Sequence, residues 1–235
     1  MSEIYISMDV EADGPYPIDH SMLSFGAAAF LEDGQMIGTF ERNLEQLESA
    51  KTDAETMAWW ATQPTAWAAC RQNLVDPKSA MWDFTRWCNG LKTEHNAKPT
   101  FVAYPAGFDF TYIYCYLMKF VGSSIFSFSG IDIKTYAMAM MQKDFNYCVK
   151  KNMPKKWFSK RRHTHVALDD ALGQGELFIN MLKANKQAFA DKMSAFIAIA
   201  ELSAKEYKHP EEANYFLKEI NKTASDKVNL YLNQK

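Results

Sequence analysis

Along residues 3–11 apolar and polar side chains alternate, with Ile4, Ile6, Met8 and Val10 set against Tyr5, Ser7, Asp9 and Glu11. A period of two is that of a half-buried strand. Asp9 and Glu11 then share the face opposite the apolar one, about 6.6 Å apart along the chain. Ala12-Asp13-Gly14-Pro15 breaks the strand just beyond them. Residues 22–43 read as a hairpin closed by Asp33-Gly34, so the first three strands should form an antiparallel meander. Thr52-Asp53-Ala54-Glu55 is a capping box for a short helix carrying Met57, Trp59 and Trp60, which Pro64 closes. Adjacent tryptophans cannot share one helix face, so one of the pair should be core and the other should line a groove. Asp76-Pro77 opens a longer helix whose apolar face is Met81, Phe84, Trp87, Cys88 and Leu91.

Residues 100–104 suit a buried central strand. Pro105-Ala106-Gly107 breaks it, and a helix begins at Phe108-Asp109-Phe110, with Asp109 in its first turn. Residues 130–133 predict a further short strand, feeding a Met-rich helix to about Gln142. A helix opening at residues 165–171 should run to about Lys183. Beyond it, residues 188–207 and the stretch restarting at His209-Pro210 predict a C-terminal helical hairpin. The chain therefore divides into a domain at 1–183 and an extension at 184–235 packed on it.

The 48% apolar and 14% aromatic content marks a folded chain rather than a disordered one. A formal net charge of −2 excludes whole-molecule attraction to nucleic acid, so such a role must rest on a local patch. Cys70, Cys88, Cys115 and Cys148 lack metal-ligand spacing, and no signal peptide or membrane-length apolar run is visible, which predicts a cytoplasmic protein with no membrane partner. The local patch is present. Residues 143–163 hold eight Lys and Arg against the single acid Asp144, with Phe145, Tyr147, Trp157 and Phe158 interleaved. A charge run is ordinarily a solvated surface, but aromatic rings among cations are what a single-stranded nucleic-acid groove requires. Lys155, Lys156, Trp157, Phe158, Arg161 and Arg162 are the candidate contacts there, with Trp60 as a further groove residue.

Two carboxylates side by side on a strand repel each other unless a cation lies between them. Asp-x-Glu alone is common and would pass as a surface pair. His165 and Asp170 lie five residues apart across a helix start, a spacing that can bring both toward one site. Periodicity does not choose between Asp170 and its neighbour Asp169. His163 is expected to face another direction and to contact the loop or a phosphate.

Asp9-x-Glu11, Phe108-Asp109 and His165-x-Ala167-x-x-Asp170-Ala171 resemble, in order, the three motifs of the DEDDh 3′–5′ exonucleases, relatives of RNase T, oligoribonuclease and the proofreading subunit of bacterial DNA polymerase III. Met57-Ala58-Trp59-Trp60-x-x-Gln63 is similar to a subgroup of bacterial and phage exonucleases and exoribonucleases. The resemblance spans residues 3–182 and departs at Tyr104-Pro105, where the family often has His-Asn. It implies an α/β, ribonuclease H-like fold: a mixed five-stranded sheet with helices on both faces. It implies two divalent ions, Mg²⁺ or Mn²⁺, held by Asp9, Glu11, Asp109 and Asp170, and it selects Asp170 over Asp169. His165 would be the general base. The implied activity is removal of 5′-mononucleotides from single-stranded 3′ ends, RNA slightly ahead of DNA, in a chain that several dimeric relatives suggest as a homodimer. A catalytically idle nucleic-acid-binding module is the alternative from another class, and the presence of all four acids and the His argues against it. A small-molecule metallohydrolase would leave the basic aromatic stretch unexplained.

Overall fold

The computed structural model describes residues 2–204 and 210–232. Five strands form one sheet in the order β3-β2-β1-β4-β5: β1 Ser2–Ala12, β2 Met22–Phe30, β3 Met36–Asn43, β4 Ala97–Ala103 and β5 Ile131–Asp132. β1, β2 and β3 pair antiparallel, as the hairpin signal predicts, while β4 joins β1 and β5 joins β4 in parallel. The parallel pairings are made possible by crossover helices. α3 (Pro77–His95) precedes β4, α4 (Ala106–Phe120) follows it, and α5 (Ile133–Met141) follows β5.

The apolar face of β1 and the helices α3 and α4 enclose the main core, in which Ile4, Ile6 and Met8 meet Phe84, Ile113 and Leu117. The opposite face of β1 is covered too. Tyr5 packs edge-on against Phe178 with ring centroids 5.1 Å apart, and Ser7 is buried. This corrects the half-buried strand inferred from alternation: β1 is the central strand, and α6 (Ala167–Ala204) lies over its polar face. That cover is close. A Cβ at Gly26, the β2 partner of Asp9, would collide with the backbone of Ala167 and Leu168, and one at Gly175 would collide with the Phe30 ring. Two glycines, one on each element, therefore set the depth at which the helix start seats on the sheet.

The cap at Asp76 holds as predicted, accepting from the Ser79 N–H, whereas the capping box expected on Thr52 and Glu55 is replaced by a cap one residue later, Asp53, which accepts from the Thr56 N–H. Pro64 differs. It ends α1 (Ala54–Trp60) but also occupies the first turn of a further helix, α2 (Pro64–Cys70), a position where its missing N–H costs nothing. The helix expected to stop near Lys183 instead continues unbroken to Ala204, because residues 183–188 contain neither Gly nor Pro. By contact density, Met1–Met181 form one compact unit and Leu182–Lys235 another, the second consisting of the end of α6 and α7 (Pro210–Leu232). The end of the predicted 188–207 helix and the restart at His209 lie outside the described residues. Among the described residues no helix is long and apolar enough to cross a membrane.

Candidate active site

The site lies at the carboxyl end of β1, where three elements deliver four acids. β1 supplies Asp9 and Glu11. The first turn of α4 supplies Asp109, whose Oδ1 accepts from the Val10 N–H at 2.9 Å, which ties the helix start to the strand between the two other acids. The first turn of α6 supplies Asp170. One oxygen from each of Asp9, Glu11 and Asp170 lies within 4.8 Å of the others. Asp169 is exposed and accepts from Thr164 Oγ1, whereas Asp170 is buried and faces the cluster.

Hydrogen bonds hold Asp9 and Asp170 in place as Val10 holds Asp109. Asp9 Oδ1 accepts from Gln174 Nε2 at 2.6 Å, and Gln174 Oε1 accepts from the Tyr104 N–H at 2.8 Å, so one buried amide bridges the ends of β1 and β4. Asp170 accepts from the N–H of Thr164 and of His165, and its Oδ2 lies 2.9 Å from His163 Nδ1. These contacts decide the charges. Burial pushes Asp9 well above the usual carboxylate range, and the negative charges of Asp109, Glu11 and Asp170 push it further. Burial, with Asp170 and Asp109, raises Glu11 to about 8. Burial raises Asp109 to about 7 against the opposing hydrogen bond from Val10. Burial pushes Asp170 up as well, but the hydrogen bonds from His163, Thr164 and His165 outweigh it and hold its carboxyl below the ordinary value. Several fixed carboxylates sharing one small volume are a fit for hard divalent ions, which would supply the positive charge that offsets their repulsion.

His165 borders this cluster with its backbone in the left-handed region, at φ 57°. A non-glycine residue is uncommon there, and such strain collects at functional sites. Its ring stands edge-on to Trp59, with centroids 5.0 Å apart. Burial, the neighbouring His163 and the charge of Lys150 lower its basicity, against the opposing pull of Asp170. His163 does not face away as expected. Its ring packs edge to face on that of His165, with centroids 4.2 Å apart, because the left-handed backbone at His165 departs from the extended path on which the expectation rested.

The tryptophan pair resolves opposite to the assignment of Trp60 to the groove. Trp60 is 2% exposed, with its Nε1 donating to the Ala12 carbonyl at 2.9 Å, so it is core; Trp59 is 38% exposed and sets its ring against that of His165. Trp157 is corrected in the same way. It is buried, with its carbonyl held by Asn180 Nδ2, and with Cys148 and Met153 it anchors the basic segment. That segment is thus pinned rather than a free solvated run. A cleft of about 150 Å³ runs from Asp170 along it, lined by Lys150, Phe158, Arg161, Arg162, His163 and Gln174 among others. Arg161 is paired with Glu176 at 2.8 Å. Lys155 and Lys156 are exposed and do not line the cleft.

Lys150, Gln174 and Trp59 went unassigned from sequence. Gln174 lies four residues after Asp170, on the same helix face, a spacing that could have singled it out. Lys150 was hidden among eight similar charges. Its ammonium stands 4.8 Å over the Tyr104 ring, and its charge is felt at both Asp9 and Asp109.

Comparison with known proteins agrees with this geometry. Residues 5–182 match the model of a family described as the 3′–5′ exoribonuclease Rv2179c-like domain. The 3′–5′ DNA exonuclease Cap18 of Escherichia coli is 27% identical over 192 residues, 81% of this chain and 97% of its own length. Among solved structures, the nuclease domain of 3′hExo, a DEDDh family member bound to rAMP, superposes with a TM-score of 0.54 at 10% identity over 78% of this chain and 93% of that one. E. coli exonuclease I in complex with a dT13 oligonucleotide gives 0.54 at 12% identity, over 81% of this chain and 43% of that one. At these identities the structural likeness carries the fold alone: a mixed five-stranded sheet of the ribonuclease H-like kind.

Proposed function

The chain belongs to the Rv2179c-like 3′–5′ exoribonuclease domain family, and from that premise we propose that it removes 5′-mononucleotides one at a time from the 3′ end of single-stranded nucleic acid. The observation that carries this reading is the convergence of Asp9, Glu11 and Asp170, within 4.8 Å, beside Asp109 and His165. Asp9, Glu11, Asp109 and Asp170 would hold two divalent ions, Mg²⁺ or Mn²⁺. Such ions, when bound, supply Lewis-acid stabilisation of the charge that develops on the phosphodiester.

The chain's own residues do the rest. Gln174 fixes the rotamer of Asp9 by donating to it, which keeps the carboxylate aimed at the cluster. His165, weakened as a base by burial and by nearby His163 and Lys150, is neutral near pH 7 and takes the proton from the attacking water. Trp59 holds the edge of that imidazole and walls the site. Lys150 and Arg162 line the cleft, where they would meet phosphates, while Phe158 replaces the buried Trp157 as the ring available to a base.

RNA is the first substrate reading, in line with the description of the family. DNA is the second, favoured by the relative in E. coli that aligns over almost its whole length. Matched RNA and DNA oligonucleotides, labelled at the 5′ end and digested with Mg²⁺ or Mn²⁺, test both. The expected product is a ladder shortening by one nucleotide with release of 5′-mononucleotides, abolished by chelation. Internal cuts, or no digestion of either polymer, would overturn the proposal.

Two further outcomes follow from the geometry. Gly26→Ala is expected to lift the start of α6 off β2 and carry Asp170 away from Asp9. A displacement of about 1 Å there costs about 10²-fold in kcat. Turnover, measured with circular dichroism to establish that the protein remains folded, checks it. Lys150→Met and Arg162→Met should each weaken oligonucleotide binding and flatten its log–log salt dependence by about 0.7 per lost phosphate contact. Lys156→Met, outside the cleft, should leave the slope nearly as it was.

A further inference from the structure

We propose that His163, His165 and Asp170 form an inhibitory transition-metal site, with Zn²⁺ the ion it fits best. One ligand atom from each of the three lies within 4.8 Å of the other two. His163 Nδ1 is already 2.9 Å from Asp170 Oδ2. Two ligands each about 2.0–2.1 Å from a zinc ion stand about 3 Å apart, so this pair has a separation an ion can span. The imidazoles of His163 and His165 meet edge to face at 4.2 Å, which brings the second nitrogen donor to the same place. The site is open on one side and anchored on the other: the His163 side chain is 53% exposed, that of Asp170 only 1%. An ion therefore has an approach from solvent and a fixed carboxylate to meet.

The donor set determines which ion. Two imidazole nitrogens and one carboxylate suit zinc and its transition-metal neighbours, whereas Mg²⁺ takes oxygen ligands and keeps much of its water. Asp9, Glu11 and Asp170 are that oxygen set. The two sets share Asp170. Zinc at the histidine-bearing set withdraws Asp170 from the carboxylate cluster and occupies the nitrogen lone pair of His165. The hydrogen bond from His163 that now orients Asp170 gives way to a metal bond. The inhibitory part of this inference rests on the exonuclease reading above, while the metal site itself does not.

Two measurements on the full chain separate those parts. Co²⁺, a spectroscopic stand-in for zinc, is titrated in excess Mg²⁺. A visible band of nitrogen-ligated cobalt, displaced by Zn²⁺, is expected for the wild type and should be lost in His163→Ala. Asp9→Asn combined with Glu11→Gln removes the oxygen set and should keep the band; its loss there would put the ion among the carboxylates and overturn the proposal. In the Mg²⁺-dependent digestion, the zinc concentration for half inhibition should rise in His163→Ala by more than the roughly 10–100-fold that loss of even an outer-shell contact costs. Inhibition at unchanged zinc concentration would overturn the proposal. Should His163→Ala fail to fold, the cobalt band of the Asp9/Glu11 double variant still decides the site. Digestion by the wild type without zinc tests the exonuclease reading separately.

Discussion

Asp9→Asn is expected to abolish cleavage and, at the same time, to raise the melting temperature of the metal-free protein above pH 7. Both effects come from one cause. Asp9 sits in a buried volume with Asp109, Glu11 and Asp170, and its ionisation is opposed first by desolvation and then by those like charges. Glu11 is raised to about 8 and Asp109 to about 7 by the same burial. Groups whose folded pKa is raised lend stability while they remain protonated. That stability is complete below their unfolded values near 4, and it is lost as pH climbs through about 7 to 8. The metal-free wild type should therefore melt at a lower temperature at pH 8.5 than at pH 6. Adding Mn²⁺ should restore more at the higher pH. Asn keeps the shape and can still meet Gln174, but it removes one repelling charge, so the pH dependence flattens while an ion-binding oxygen is lost. Asp169→Ala, on the exposed neighbour, should change neither quantity much. Melting curves across pH with and without Mn²⁺, alongside turnover, give the answer. A variant that is inactive but no more stable than wild type at pH 8.5 would mean the carboxylates do not strain the metal-free fold.

The elements that delivered these acids were legible wherever the signal was local. The cap at Asp76, the turn at Asp33-Gly34 and the acid at Asp109 each depend on a few consecutive residues. What the sequence concealed depends on partners far along the chain. Alternation in β1 suggested a wet face, and only the covering helix, seated on Gly26, makes Ser7 and Tyr5 interior. Trp59 and Trp60 are equivalent by composition and spacing. The Ala12 carbonyl, 48 residues away, selects Trp60 as core. The interleaved aromatics of the basic segment suggested stacking platforms, yet Trp157 serves as an anchor because Asn180 on α6 holds its backbone. Asp170 and Asp169 differ only in which side of the helix start faces the sheet, something that periodicity over five residues does not resolve. Pro64 carries two meanings at once, a stop for one helix and a favoured first turn for the next.

His165→Ala is expected to slow turnover by about 10²–10⁴-fold while Mn²⁺ binding to the carboxylates persists, the range for losing a general base. The residue is held for that task by its surroundings rather than by its own chain preference. Its backbone occupies the left-handed region, Asp170 accepts from its N–H at 2.9 Å, and Trp59 closes the outer side of the ring. Burial, His163 and Lys150 lower its pKa, and Asp170 opposes them without reversing the net direction. The sign follows directly: a base must be neutral to act, so the acid limb of the pH–rate profile should lie below the ordinary histidine value near 6.5. Removing the charge of Lys150 in Lys150→Met takes away one lowering influence and should move that limb to higher pH, whereas Lys151→Met should leave it in place. Two observations separate chemistry from folding in the His165→Ala protein. Added imidazole should restore part of the rate by filling the space the ring leaves, and KM for the oligonucleotide should change far less than kcat. A profile whose acid limb is the same in wild type and His165→Ala would assign the proton transfer to another group.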